Sequence, residues 1–205
     1  MKQKDTDLSH IVLLIVWAIA LGISANHAYD PFTWVLEVFP AVIAVAVLIG
    51  AYRRFPLTNL LYGLIFVHSL ILMAGGHYTY ARVPLGFWME QTFHFTRNHY
   101  DRIGHFAQGF VPALAAREVF LRKKIVQPGP WLAVIVIFGC LGGSALYELF
   151  EWISAISLGS SADAFLGTQG DPWDTQEDMF MAGVGAVTAF LLMPRIQDRA
   201  IARLG

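Results

Sequence analysis

Long, nearly uncharged stretches of apolar residues dominate the chain and predict its elements. A transmembrane helix needs about 20 consecutive, mostly apolar residues. Six segments approach that length, at residues 9–29, 32–52, 57–76, 101–121, 131–154 and 175–193. The apolar residues run continuously and do not alternate with polar ones, which favours helices over the strands of a membrane barrel. We therefore predict an all-α, polytopic membrane protein, a six-helix transmembrane bundle that forms a single domain over residues 1–205.

The composition agrees with a membrane domain and excludes several other classes. Of the 205 residues, 56% are hydrophobic and 14% are charged, whereas roughly 25% are charged in soluble domains. The formal net charge of -1 provides no basic surface for nucleic acid. The single cysteine, Cys140, excludes an internal disulfide framework and a cysteine-based zinc cluster.

The basic residues indicate how the helices are oriented. All but three of the 14 Lys and Arg residues lie in the terminal segments or in alternate loops, and so on one side of the membrane. The exceptions are Arg82, Arg97 and Arg102, between the third and fourth segments. By the positive-inside rule the Lys- and Arg-rich side is cytoplasmic. We predict that both termini face the cytoplasm.

Most acids and histidines fall at the opposite helix ends, and three groups of them have a suggestive spacing. These groups are Asp101 with His105, Glu148 with Glu151, and Asp171 with Asp174 and Asp178. Residues three or four apart lie on the same face of a helix. Because all three groups lie at similar depth on the same side, we expect a bundle to bring them together in a pocket that faces the periplasm.

Two kinds of chemistry suit such a pocket. Mixed imidazole and carboxylate ligands suit Zn²⁺, Mn²⁺ or Fe²⁺, and carboxylates alone suit Mg²⁺ or Ca²⁺. The candidate metal ligands are His105, Glu148, Asp171, Asp174 and Asp178. Without a metal, one of two close carboxylates has a raised pKa and can act as a general acid or base. The candidate catalytic residues are Asp101, His105, Glu148 and Glu151.

Structural roles remain open for several of the same residues and for others. Asp101 and Asp174 can cap their helices. Glu118 can pair with Arg122 four residues on, and His68 can form a hydrogen bond between helices. Small residues can allow close helix packing, and the candidates are Gly139, Gly142, Gly143, Gly183 and Gly185.

Five stretches resemble a known family. They are Val83-Pro-Leu-Gly-Phe-Trp-Met89, Phe95-Thr-Arg-Asn-His-Tyr-Asp-Arg-Ile-Gly-His-Phe106, Gln108-Gly-Phe-Val-Pro112, Glu148-Leu-Phe-Glu-Trp152 and Thr168-Gln-Gly-Asp-Pro-Trp-Asp-Thr-Gln-Glu-Asp178. From His77 to about Arg199 the chain is similar to the YjdF-type family of bacterial inner-membrane proteins. The resemblance implies a six-helix protein of the bacterial inner membrane and brings no assigned activity.

A shorter similarity links the chain to VanZ-like membrane proteins. It consists of Asp101-Arg-x-x-His105, the Tyr147-Glu148 helix end and Asp174 at the start of the last segment. The VanZ group is associated with glycopeptide resistance. Its motif has Lys where this chain has Arg102, so a shared activity does not follow.

Three functions remain open at this point. The first is a periplasm-facing pocket that holds a metal or an acid–base pair and, in an enzyme, acts on a lipid or lipid-linked head group. The second is transport of a cation or a proton-coupled solute, which requires ionisable groups across the membrane. The third is a structural or partner-binding membrane component. Membrane lipids are the expected partners in all three.

Overall fold

The regular structure of the described residues is entirely α-helical. The computed structural model describes residues 2–158 and 168–204, with side chains from 7–157 and 168–204. Its helices are α1 (Lys2–Ala25), α2 (Pro31–Ala51), α3 (Asn59–Tyr78), α4 (Pro84–Phe93), α5 (Tyr100–Arg122), α6 (Pro130–Leu158), α7 (Asp174–Leu192) and α8 (Pro194–Ala202). The prediction of an all-α protein is confirmed for these residues.

Fewer than six of these helices qualify as membrane spans on their own. Four are long and apolar enough to cross a membrane: α1 from Asp7, α2, α3 and α6 up to Ser157. A fifth is added if α7 and α8, which meet at 63°, form one bent span. The structure therefore supports four or five spans, and the predicted count of six is not confirmed.

The predicted fourth segment corresponds to α5, which does not qualify as a span by length and composition alone. It packs against α3, α6 and, most extensively, α7. Its buried residues include Arg102, His105, Arg117 and Glu118. A helix enclosed by others needs little apolar surface, because its polar side chains can find partners on its neighbours.

Small residues allow the backbones of α5 and α7 to touch. A Cβ atom at Gly109 would overlap the carbonyl group of Ala182, and one at Gly185 would overlap that of Phe106. This close contact confirms the packing role expected of Gly185. The same contact depends on Gly109, for which the sequence predicts no role.

The packing role expected of the glycines in α6 is wrong. Cβ atoms built at Gly139, Gly142 and Gly143 would have no atom of another described element within 4 Å. Gly183 is intermediate, since its Cβ would lie 3.0 Å from the Leu141 side chain. Most of α6 near these glycines therefore faces outward.

The two ends of the bundle differ in charge. We call the end where α2, α5 and α7 begin the acidic end and the opposite end the basic end.

At the basic end, Glu118 is fully buried and accepts hydrogen bonds from the Thr58 backbone N–H at 2.9 Å and from Arg122 at 2.8 Å. The predicted Glu118–Arg122 pair is confirmed.

Candidate functional site

The acidic ends of α5, α6 and α7 converge on one imidazole. The Nε2 atom of His105 lies 3.4 Å from Asp101 Oδ1, 3.8 Å from Glu148 Oε1 and 3.7 Å from Asp178 Oδ1. One ligand atom each from Asp101, His105 and Asp178 lies within 4.8 Å of the others. We call Asp101, His105, Glu148 and Asp178 the His105 cluster.

Local helix geometry and close packing together produce this convergence. Asp101 and His105 face the same way because they are one turn apart in α5. Asp178 lies in the second turn of α7, which Gly109 and Gly185 allow to approach α5. His105, Glu148 and Asp178 are each less than a tenth exposed. Their charges are thus largely removed from bulk water.

Arg97 ties the segment before α5 to the segment before α7 and to the first residue of α7. Its Nη2 atom lies 2.5 Å from Asp174 Oδ1, and its Nη1 atom lies 3.2 Å from Asp171 Oδ2. Nη1 also donates to the backbone oxygen of Thr168 at 2.7 Å. Asp171 and Asp174 thus lie beside the cluster as partners of a buried guanidinium group.

Arg102 connects this segment to the cluster itself. Its Nη2 atom donates to Asp174 at 2.9 Å and to Glu177 at 2.7 Å, and its Nη1 atom donates to Asp178 Oδ1. The same Asp178 oxygen therefore faces both Arg102 and His105. Charge-assisted bonds of this kind hold the carboxylates in a defined orientation.

The capping roles considered for two of the acids are not observed. Trp173 is the N-cap residue of α7 and His99 that of α5, and neither helix has a side-chain hydrogen bond at its cap. Asp174 instead pairs with the two arginines, and Asp101 lies beside His105. The pKa of His99 is lowered by its partial burial and by the positive charges of Arg97 and Arg102.

Asn98 fastens the loop before α5 to the loop before α7. Its backbone N–H donates to the side-chain oxygen of Gln169 at 3.1 Å, and its backbone oxygen accepts from the Gln169 amide at 2.9 Å. The Asn98 side chain donates to the Val83 carbonyl at 3.0 Å and accepts from Tyr100 N–H at 3.0 Å. Two of the stretches that carried the family resemblance are therefore joined directly.

A small cavity adjoins the His105 cluster, and both Asp101 and His105 line it. Its volume is about 70 Å³, and its polar walls include Glu37, His68, Gln108, Tyr147 and Glu151. The Tyr147 hydroxyl lies 3.1 Å from Glu37 Oε2. Glu151 thus shares this cavity with Asp101 and His105, although it forms no ion pair with the described residues of the cluster.

Several buried polar atoms around this cavity lack hydrogen-bond partners among the described residues. They are His68 Nε2, His105 Nδ1 and Gln108 Oε1, with Glu148 Oε1 on the cluster side. The interhelical hydrogen bond expected of His68 is absent at its buried Nε2 atom. Unpaired buried polar atoms are costly, and a site that receives a ligand, ion or water explains them.

Acids outnumber bases throughout this end of the bundle. The guanidinium groups of Arg97 and Arg102 pair with four carboxyl groups, those of Asp171, Asp174, Glu177 and Asp178. Two more carboxyl groups, those of Asp101 and Glu148, lie beside His105. Most of these carboxyl groups have limited access to water. The remaining negative charge requires further cations, either protons or a metal ion.

The residues missed at the sequence level are mainly those that hold the predicted acids. Arg97 and Arg102 were assigned only to an outer loop, and Asn98, Gln169 and Tyr147 had no assigned role. One feature of the sequence pointed to the arginines. The outer loops and helix ends contain many acids and only three basic residues, and buried acids need such basic partners. No local pattern marked Asn98 or Gln169.

Comparisons with known proteins agree with this architecture. The model of the DUF2238 family, described as predicted membrane proteins, matches residues 9–199. The chain is also similar to the inner membrane protein YjdF of Escherichia coli (strain K12), with 47% identity over 201 residues that cover 98% of this chain and 93% of that protein. No solved structure matches the chain.

Proposed function

The chain belongs to the DUF2238 family of predicted membrane proteins, and we propose that its His105 cluster binds a divalent metal ion and acts on a lipid or lipid-linked head group. In this proposal the six spans in the inner membrane are α1, α2, α3, α5, α6 and α7. Both termini then face the cytoplasm, and the cluster opens toward the periplasm.

The spacing of donor atoms around His105 Nε2 is the observation that carries the proposal. Ligands bound at about 2.0–2.2 Å to a tetrahedral ion lie about 3.3–3.6 Å from one another. The three carboxylate oxygens lie 3.4, 3.7 and 3.8 Å from His105 Nε2. Among the described residues, Asp101, His105 and Asp178 offer ligand atoms that all lie within 4.8 Å of one another. Bringing these atoms closer by roughly 1 Å would complete a three-ligand site with one imidazole, for which Zn²⁺, Mn²⁺ and Fe²⁺ are the suitable ions.

The arginines divide the acids into two roles. Asp171 and Asp174 hold Arg97 and Arg102, and these arginines orient the chain around the site. Asp101 and Asp178 remain nearest to His105 as ligand candidates, and Glu148 lies 3.8 Å from His105 as a candidate general base. A metal ion here also compensates part of the excess negative charge.

The chemistry that follows is hydrolysis or group transfer. A divalent ion lowers the pKa of a bound water and polarises a phosphoryl or carbonyl oxygen. Glu148 lies beside the three ligand candidates, and its Oε1 atom has no hydrogen-bond partner among the described residues. It can therefore accept the proton of a water in the open fourth position. A site near the end of the transmembrane helices suits a substrate whose head group lies at the membrane surface.

Metal analysis of the purified full chain tests this proposal. We expect stoichiometric metal in the wild type and its loss in His105→Ala and Asp101→Asn, which remove candidate ligands. Glu177→Gln is the matched control, because Glu177 is an acid of α7 that contacts Arg102 outside the His105 cluster. Equal metal in the wild type and in His105→Ala would refute the metal site.

Transport is the second candidate, and the small cavity is the observation that favours it. His68 and Gln108 extend the ionisable and polar groups from His105 toward the middle of the bundle. Beyond them lies an apolar core that includes Leu61, Leu114 and Ala186, which interrupts a path to the basic end. Proton or cation flux in liposomes that disappears in Glu148→Gln would favour transport over hydrolysis.

A further inference from the structure

A large groove opens at the basic end, away from the His105 cluster. It lies between α1, α2 and α3 and has a volume of about 990 Å³. Its walls are mainly apolar and include Leu14, Trp17, Leu48, Ile65 and Phe66. Arg53 and Arg54 line the groove where α2 ends. The groove therefore combines a long apolar interior with two guanidinium groups at its mouth.

The depth of the groove corresponds to one leaflet of a bilayer. Its lining on α1 extends from Asp7 to Trp17, which spans about 15 Å at the helical rise per residue. The hydrocarbon core of a bilayer is about 30 Å thick, so one leaflet contributes about 15 Å. On α3 the lining extends from Tyr62 to Ser69, again over the half nearest the basic end.

The mouth of the groove carries uncompensated positive charge. Arg53 and Arg54 are exposed, and neither forms an ion pair among the described residues. The acid that lines the groove, Asp7, accepts a hydrogen bond from the Tyr52 hydroxyl at 2.7 Å. One carboxylate beside two guanidinium groups leaves an excess of positive charge, which complements an anionic head group.

We propose that this groove binds one diacyl lipid with an anionic head group. Its acyl chains lie along the apolar walls beside Trp17 and Phe66, and its phosphate lies between Arg53 and Arg54. The lipid comes from the leaflet in contact with the basic end. This site is separate from the His105 cluster, so the result of its test does not depend on the proposed metal chemistry.

Native mass spectrometry of the full chain tests the charge selectivity of the site. The protein is released from nanodiscs that contain equal amounts of phosphatidylglycerol and phosphatidylethanolamine. We expect the wild type to retain one phosphatidylglycerol, and the double variant Arg53→Gln/Arg54→Gln to retain roughly tenfold less. The matched control is Arg195→Gln/Arg199→Gln, which removes two exposed arginines from the same end but outside the groove.

A second pair of variants tests the groove itself. Gly50 lines it, and a Cβ atom there would have no atom within 4 Å. Gly50→Phe therefore adds a ring to the groove wall at a position where the Cβ has free space, and it is expected to reduce lipid retention. Gly22→Phe is its control, because Gly22 is equally open but lies outside the groove.

Three results would overturn the lipid site. The first is equal retention of the two lipids by the wild type. The second is undiminished phosphatidylglycerol in Gly50→Phe. The third is a mass spectrum of lipid-free dimers that Gly50→Phe converts to monomers, which would assign the groove to contact between copies of the chain.

Discussion

Gly109 of α5 lies directly against the carbonyl group of Ala182 in α7, and no side chain larger than hydrogen fits between them. The contact lies one turn beyond His105 in α5 and one turn beyond Asp178 in α7. Packing at Gly109 therefore sets the distance between two elements that form the candidate site.

Gly109→Ala is expected to destabilise the protein strongly. The added methyl group forces α5 and α7 apart, and overpacking of this kind costs about 1–3 kcal/mol or more. Thermal unfolding in detergent measures the loss. Gly142→Ala is the control, since its Cβ has free space around it, and the substitution favours helix. Equal stability of the two variants would contradict the close contact.

Arg102→Gln should destabilise the acidic end more than any change at an exposed arginine. It removes the partner of Asp174 and Asp178, and one partner lost from a buried ion pair costs about 3–5 kcal/mol. Arg102→Lys should restore only part of the stability, because Lys cannot bridge several carboxylates with a planar fork.

Arg82→Gln provides the comparison for Arg102. Arg82 is exposed and lies over the Tyr29 ring at 4.1 Å, so its loss should cost about 1 kcal/mol or less. Thermal unfolding of all three variants gives the ranking. A smaller loss for Arg102→Gln than for Arg82→Gln would show that the carboxylates do not depend on Arg102.

Thr58→Val should weaken the basic end. The Thr58 hydroxyl donates to Glu118 at 2.8 Å and accepts from Leu61 N–H at the start of α3. Valine keeps the shape but leaves Glu118 short of a donor, at a cost of about 1–3 kcal/mol. Thr58→Ser keeps the hydroxyl and should stay within about 1 kcal/mol of the wild type. Equal losses in Val and Ser would mean that packing, and not the hydrogen bond, stabilises this end.

The proposed orientation predicts which positions react with a membrane-impermeant thiol reagent. In a Cys140→Ala background, Trp88→Cys in α4 should be labelled in intact cells, whereas Arg203→Cys should be labelled only after permeabilisation. Trp88 is 56% exposed, so its access does not depend on opening of the protein. Labelling of Arg203→Cys in intact cells would reverse the orientation.

Local features of the fold could be predicted from the sequence because they depend on neighbours along the chain. Apolar runs of about 20 residues identify helices, and the spacing of Asp101 and His105 places them on one face whatever surrounds the helix. The Glu118–Arg122 pair follows from the same rule. Each of these needed only helix geometry.

Features that depend on neighbours in space could not be predicted in the same way. Gly109 and Gly142 look alike in sequence, yet one touches α7 and the other faces open space. The polarity of α5 gave no indication that it occupies the middle of the bundle, where Arg102 and Glu118 find partners on other helices. The predicted count of six spans is not confirmed for the same reason, because α5 does not qualify as a span by its composition.

The amino-acid sequence by itself determined an all-helical membrane protein with acids and histidines gathered toward one end, since these follow from hydropathy and helical periodicity. Only the tertiary structure decided that Asp101, Glu148 and Asp178 surround His105 while Asp171 and Asp174 face the arginines. Buried charges select their partners by distance in three dimensions, and that distance is set by how closely α5, α6 and α7 pack.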